Sequence, residues 1–170
     1  MSAPKAHTQV RMRVVEAFSS LLGECEYAAI TPTAIIKLSG VARSTFYRNY
    51  TSVNDVLVDY FVVLYDSFGS NAPPVNFEDA VYLTYVFRFY QEHATEFLNV
   101  MDADLSGIWL DTIIEYHVNQ RGEMPAGSID RYWLYYYAGA VYGVIRQWLT
   151  EGMPESPEQM GSALASRSFA

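Results

Sequence analysis

The chain is poor in the residues that covalent and metal chemistry need. Its 170 residues include a single cysteine, Cys25. That excludes an internal disulfide framework and a cysteine-based zinc site, and it fits a reducing cytoplasm. Histidine is scarce too: His7, His93 and His117 are scattered, and none belongs to an HExxH or similar ligand pair. Glu92 beside His93 and Glu115 near His117 read as ordinary polar neighbours. There is no glycine-rich phosphate loop and no GxSxG elbow. No catalytic residue, metal or cofactor is therefore expected, and the chain does not read as an enzyme. Long hydrophobic runs are also missing. The longest uncharged apolar stretch, Tyr132 to Ile145, is too short at about 1.5 Å per residue to cross a bilayer. Its tyrosines and glycines suit a buried helix, so no membrane partner is expected. No N-terminal segment joins basic residues to an apolar core, so no signal peptide is expected and the location is read as cytoplasmic.

Positive charge is the other shortage. Eleven Lys and Arg face nineteen Asp and Glu, a net charge of −8. The imbalance is uneven along the chain. Residues 1–60 carry six basic side chains (Lys5, Arg11, Arg13, Lys37, Arg43, Arg48) and five acids (Glu16, Glu24, Glu26, Asp55, Asp59). The rest carries five basic and fourteen acidic groups. The first third is thus close to neutral, with its cations at the N-terminal arm and around residues 43–48. Attraction to phosphates is expected to be weak and salt-sensitive.

What the chain does have is apolar periodicity at helical spacing. About half of it is hydrophobic (51%), which excludes disorder and provides for one sizeable core or a small head on a larger body. Val10, Val14, Ala17, Phe18, Leu21 and Leu22 form a first stripe. Thr31 then reads as an N-cap before Pro32, and Ala34, Ile35 and Leu38 recur behind it. Gly40 supplies a residue free to take positive φ, and Val41 can plug the angle between two short helices. In the second of these, Phe46 and Tyr50 face inward while Arg43, Ser44, Tyr47 and Arg48 are left outside. A short helix with an apolar back and a front of Arg, Ser, Thr and Tyr is what a major-groove reader needs. Arg43 can reach a guanine edge, Thr45 a thymine methyl or a phosphate, and Tyr47 and Arg48 backbone phosphates.

Ser52 with Asp55 reads as a capping box opening a helix that buries Val56, Leu57, Tyr60, Phe61, Leu64, Tyr65 and Phe68. It ends near Gly69. SNAPPVN at 70–76 is the one plausible boundary, giving a head at 1–52, a connecting helix at 53–69 and a body at 70–170. In the body the pattern predicts helices from Phe77 to about His93, around Thr95–Met101, from Asp104 to about Asn119, and from Ser128 to Glu151. A loop spans 121–127, and a last helix is capped by Ser156, Pro157 and Gln159. No strand alternation is convincing, so the fold is read as all-α.

The body is rich in aromatic residues with few basic ones, namely Arg88, Arg121 and Arg131 in its effector region. Rings bearing hydroxyls can line an apolar pocket and still offer polar handles. Tyr85, Phe89, Trp109 and Tyr116 are the candidate ligand residues, and the expected effector is small, neutral and aromatic or hydrophobic. An anionic one would lack counter-charge. Gly139 and Gly143 make a smooth strip for close helix packing, within the subunit or across a dimer.

The run GVARSTFYRNY at 40–50, with Ile30, Thr31, Ile35, Lys37, Ser52 and Leu57, resembles the head of TetR/AcrR-type transcriptional regulators. The segment YYYAGAVYGVIRQWLTEGMPESPEQM is similar to the C-terminal domain of one Gram-positive TetR subgroup. The resemblance implies an all-helical homodimer with a DNA-reading head and a ligand-binding, dimerising body. It implies a palindromic double-stranded operator, a phosphate contact from Thr31, and a dimer interface on the long helix. Trp133, Tyr137, Gly139, Val141, Gly143, Val144 and Trp148 are the residues expected there. A ligand-responsive repressor follows, or alternatively a TetR-like coactivator acting through protein contacts. Two positions depart from the family pattern: Ala42 stands where a capping Ser is common, and Val53 where a phosphate-holding basic residue is common.

Overall fold

The computed structural model describes residues 3–121, 129 and 131–166, and among these the chain forms nine α-helices and no strand. Of the predicted loop at 121–127, Arg121 ends a helix, while residues 122–127 and the start of the predicted helix at Ser128 lie outside the described residues. None of the described helices is long and apolar enough to cross a membrane.

Helix α1 runs Ala3–Glu24, α2 Pro32–Ser39 and α3 Arg43–Asn49. One 3-10 turn, Tyr27–Ala29, lies between α1 and α2. Helix α4 spans Val53–Asn71. The Ser52 side chain accepts from the Asp55 amide while the Asp55 carboxylate accepts from the Ser52 and Thr51 amides, so the capping box forms as the sequence predicts. Those hydrogen bonds, the Thr51 hydroxyl foremost, hold the Asp55 carboxyl below its ordinary pKa. All seven residues expected on the inner side of α4 are buried.

In the body, α5 covers Ala80–Glu92, α6 Ala94–Asp102, α7 Ser106–Arg121, α8 Arg131–Thr150 and α9 Pro157–Ala165. Helix α5 starts later than Phe77 because Asp79 is its cap, accepting from the Val81 amide. The Ser156–Gln159 box and Pro157 open α9 as predicted. Helix α9 lies along α5, α7 along α8, and α1 against α2, α4 and α6. An aromatic core fills the space between. The Phe97 ring tilts onto Trp109 and Tyr90 at 4.8 Å each and stacks on Phe61 at 5.6 Å.

One inner stripe departs from expectation. Leu38 is 55% exposed, and Ile35 and Ser39 are the buried residues of α2. Ser39 can be buried because its hydroxyl donates to the Ile36 carbonyl and accepts from the Val41 amide.

Candidate nucleic-acid interface

The turn between α2 and α3 is built from both sides. Gly40 has φ +62, a left-handed conformation that favours glycine. A β-carbon there would also meet the Arg13 guanidinium at 2.8 Å, because Arg13 donates to the Ser39 carbonyl at the end of α2. Val41, Phe46 and Tyr50 are buried beneath the turn. This leaves Arg43, Ser44, Tyr47 and Arg48 exposed on α3, with Thr45 half-buried beside them. The Arg43 guanidinium lies over the Tyr47 ring at 5.3 Å, and that ring rests edge-on against Phe46 at 5.4 Å. A cation–π contact of this kind restrains a long flexible side chain at the head of the helix. Thr31 caps α2 by accepting from the Ala34 amide at 3.2 Å and is exposed. All six candidate residues therefore belong to one small unit, two short helices around a plugged turn.

The departures at Ala42 and Val53 have physical counterparts. Ala42 makes no side-chain cap bond to α3. Val53 is half-buried and packs on the hydrophobic core.

Not every cation of the head faces outward. Arg11 pairs with Asp59 on α4, its Nε donating to Oδ1 at 2.6 Å, and Tyr50 donates to Oδ2 of the same carboxylate at 2.6 Å. The hydrogen bond to Asp59 raises the Arg11 pKa further, and burial, followed by that same carboxylate, pushes the Tyr50 hydroxyl up. One carboxylate thus ties α1, the end of α3 and α4 together. The sequence places Arg11 and Arg13 among the basic groups of the arm, but Arg11 is engaged with Asp59 of α4, and Arg13, though exposed, is engaged with the Ser39 carbonyl.

The four candidate ligand residues are not gathered around one cavity. Trp109 has no exposed surface, and its indole donates to the buried Tyr65 hydroxyl at 2.9 Å. This corrects its assignment: it is a hydrogen-bonded centre of the core. Tyr85 donates to the Phe68 carbonyl. Phe89 and Tyr116 do border a void together with Tyr65, Tyr82 and His117, but its volume is about 30 Å³, room for roughly one water. A larger cavity of about 200 Å³ lies between α5, α8 and α9, lined by Phe77, Leu83, Val86, Phe87, Tyr137, Ala140, Val141, Val144 and Leu164.

On α8, Trp133, Tyr136, Tyr137, Ala140, Gly143, Val144 and Gln147 recur every three or four residues, and all are exposed or half-buried. Trp133, Tyr137, Gly143 and Val144 of the expected interface lie on this strip, and Gly139 lies on its flank. Tyr136 and Ala140 share this strip, and the same spacing would have included them. Val141 leans towards the core, and Trp148 is a correction. It is 2% exposed, packs edge-on against Phe87 at 5.1 Å, and donates to the Glu155 carbonyl. It has no surface left for a partner.

Residues 81–166, just over half of the chain, match a TetR-family model described as the transcriptional regulator C-terminal region. The chain belongs to the TetR family of transcriptional regulators. This TetR-family regulator also shares its fold with solved relatives across almost its whole length. A TetR transcriptional regulator from Streptococcus agalactiae 2603V matches at TM-score 0.63 and 19% identity, over 98% of this chain and 97% of that one. The dihydroxyacetone kinase operon activator DhaS matches at TM-score 0.59 and 15% identity, over 92% of each chain. No curated protein matches this regulator in sequence. TetR-family regulators bind DNA operators and dimerise.

Proposed function

We propose that this TetR-family regulator reads a palindromic operator as a homodimer, with α3 as the reading helix, and that an effector in the body controls it as a ligand-responsive repressor. In this reading residues 1–52 are the head, 53–69 the connecting helix and 70–170 the body. The observation that carries the reading is the α2–turn–α3 unit, in which Arg43, Ser44, Thr45, Tyr47 and Arg48 share one accessible face over a buried Val41–Phe46–Tyr50 back. Arg43 specifies a base, and Thr31, Tyr47 and Arg48 hold phosphates.

Selection from random duplexes at low salt tests this directly. A palindrome is expected to emerge, and its absence would sink the reading. Arg43→Ala is expected to cost about 1–3 kcal/mol and to relax preference at one base position. Arg48→Ala is expected to weaken all sequences alike.

The proposed effector is small, neutral and aromatic or hydrophobic. Rings dominate the body, and no Lys or Arg lines the void at Phe89 and Tyr116 or the cavity at Tyr137 and Val144, His117 being the one ionisable nitrogen base beside the former. Burying an anion there would leave its charge unpaired. Because the inner void is so small, binding has to part rings of α4, α5 and α7. Neutral aromatic compounds are expected to raise the melting temperature in a concentration-dependent way. A thermal-shift screen in which polyanions alone stabilise the protein would overturn this.

A further inference from the structure

Helix α1 ends at Glu24 without a glycine in the left-handed position that usually closes a helix, so its last carbonyls need partners from elsewhere. The body supplies them. Asn99 on α6 donates through Nδ2 to the Leu22 carbonyl at 2.9 Å and to the Cys25 carbonyl at 2.5 Å. Its Oδ1 accepts from the Tyr27 amide at 2.8 Å. Both N–H groups and the oxygen of one body side chain are thus directed to head backbone. An apolar side chain of the same size would fill the space but hold nothing.

Each end of this contact continues into one half of the molecule. On the head side, the Tyr27 hydroxyl donates to Asn54 Oδ1 at 2.6 Å in the first turn of α4, just beyond the reading helix. On the body side, Phe97 and Val100 flank Asn99 and have no exposed surface. Through Phe97, α6 is seated on Trp109 and Tyr90 of the aromatic core.

We propose that Asn99 is a positioning residue that sets the pose of the reading head relative to the body. The proposal rests on the DNA-reading function above and deepens it. A close-packed core transmits a displacement of α6 rather than absorbing it. Asn99 delivers that displacement to the end of α1 and, through Tyr27, to the start of α4.

The test uses the full-length chain in a Cys25→Ser background, with spin labels on exposed Lys37→Cys and Glu115→Cys, diluted with unlabelled subunits. Pulsed dipolar spectroscopy then reads the head-to-body distance. In Asn99→Ala and in the volume-keeping Asn99→Leu, the distance distribution is expected to broaden about twofold while unfolding stays cooperative. Exchange of the Tyr27 amide is expected to accelerate. With the selected operator, preference for the best half-site spacing is expected to fall about tenfold, an effect that plain loss of stability would not produce. Unchanged distance widths in both variants, or a wild-type spacing preference, would overturn the proposal. Should neither variant fold, Tyr27→Phe, which drops the Asn54 bond and keeps the ring, is expected to broaden the distribution, and no change there overturns it. If the wild-type protein selects no duplex, the DNA reading fails separately and the distance measurement alone decides the role of Asn99.

Discussion

Gly161→Ala is expected to destabilise the protein by about 1–3 kcal/mol, as forced overpacking does, although replacing glycine by alanine inside a helix ordinarily stabilises by about 1 kcal/mol. The reversal follows from how α9 lies on α5. A β-carbon at Gly161 would sit 2.3 Å from the Thr84 hydroxyl oxygen, 2.7 Å from the Thr84 amide nitrogen and 2.9 Å from the Ala80 carbonyl oxygen. A hydroxyl can rotate away, but two backbone atoms cannot, so the helices must separate. The remaining ties of α9 are weak substitutes. Arg88 pairs with Glu158 and holds its carboxyl down to about 2, but both groups are exposed and such pairs contribute little. Gly107→Ala in α7 is the control, since nothing lies within 4 Å of a β-carbon there and it is off the α8 strip, and it is expected to be neutral or stabilising. Thermal unfolding followed by circular dichroism measures both, with each kcal/mol shifting the midpoint by about 2–4 °C. A Gly161→Ala protein as stable as the wild type would show that α9 is not seated as described.

Val144→Asp is expected to split the dimer. Val144 lies towards the C-terminal end of the strip that runs from Trp133 to Gln147, and it borders the apolar cavity shared with Leu164 of α9. A carboxylate buried there without a partner costs several kcal/mol (of order 3–5), so the dissociation constant is expected to rise by about a hundredfold to a few thousandfold. Gly143→Leu, one residue away, is expected to act in the same direction by steric clash. Lys37→Glu changes charge more than Val144→Asp does, but on exposed α2 of the head rather than on α8, and it is expected to leave the dimer intact. Sedimentation velocity at micromolar concentration separates these outcomes. A stable wild-type monomer, or a dimeric Val144→Asp protein, would place the interface elsewhere.

The head was legible because short-range rules decide it. Thr31, Gly40, and Ser52 with Asp55 each act within four residues, and each takes the role its local chemistry dictates; the Ser156–Gln159 box in the body was legible for the same reason. Helix α4 was legible because it is long and buries one continuous face. The body was harder to read for the opposite reason. Its helices are apolar over much of their circumference, so periodicity could not tell Trp109, at the centre of the core, from a cavity wall. Trp148 and Trp133 lie on the same helix with equally aromatic neighbours. What separates them is the loop after α8, which brings the Glu155 carbonyl back to one and not the other. Leu38 and Ser39 changed places because a hydroxyl can be buried where it can bond locally. Asn99 carried no signal at all in the sequence, since its partners lie more than seventy residues away.

The three tryptophans occupy three distinct surroundings, which makes the protein its own optical instrument. Trp109 is enclosed and donates to a tyrosine hydroxyl, Trp148 is enclosed against Phe87 at the start of the turn into α9, and Trp133 is 55% exposed at one end of the α8 strip. Indole emission moves to longer wavelength in water, so the first two report the integrity of the core and of the α9 seat. The third reports whether another subunit has closed over the strip. With Trp133→Phe and Trp148→Phe variants, assembly and unfolding can be followed as separate colour changes in one cuvette, without an attached dye.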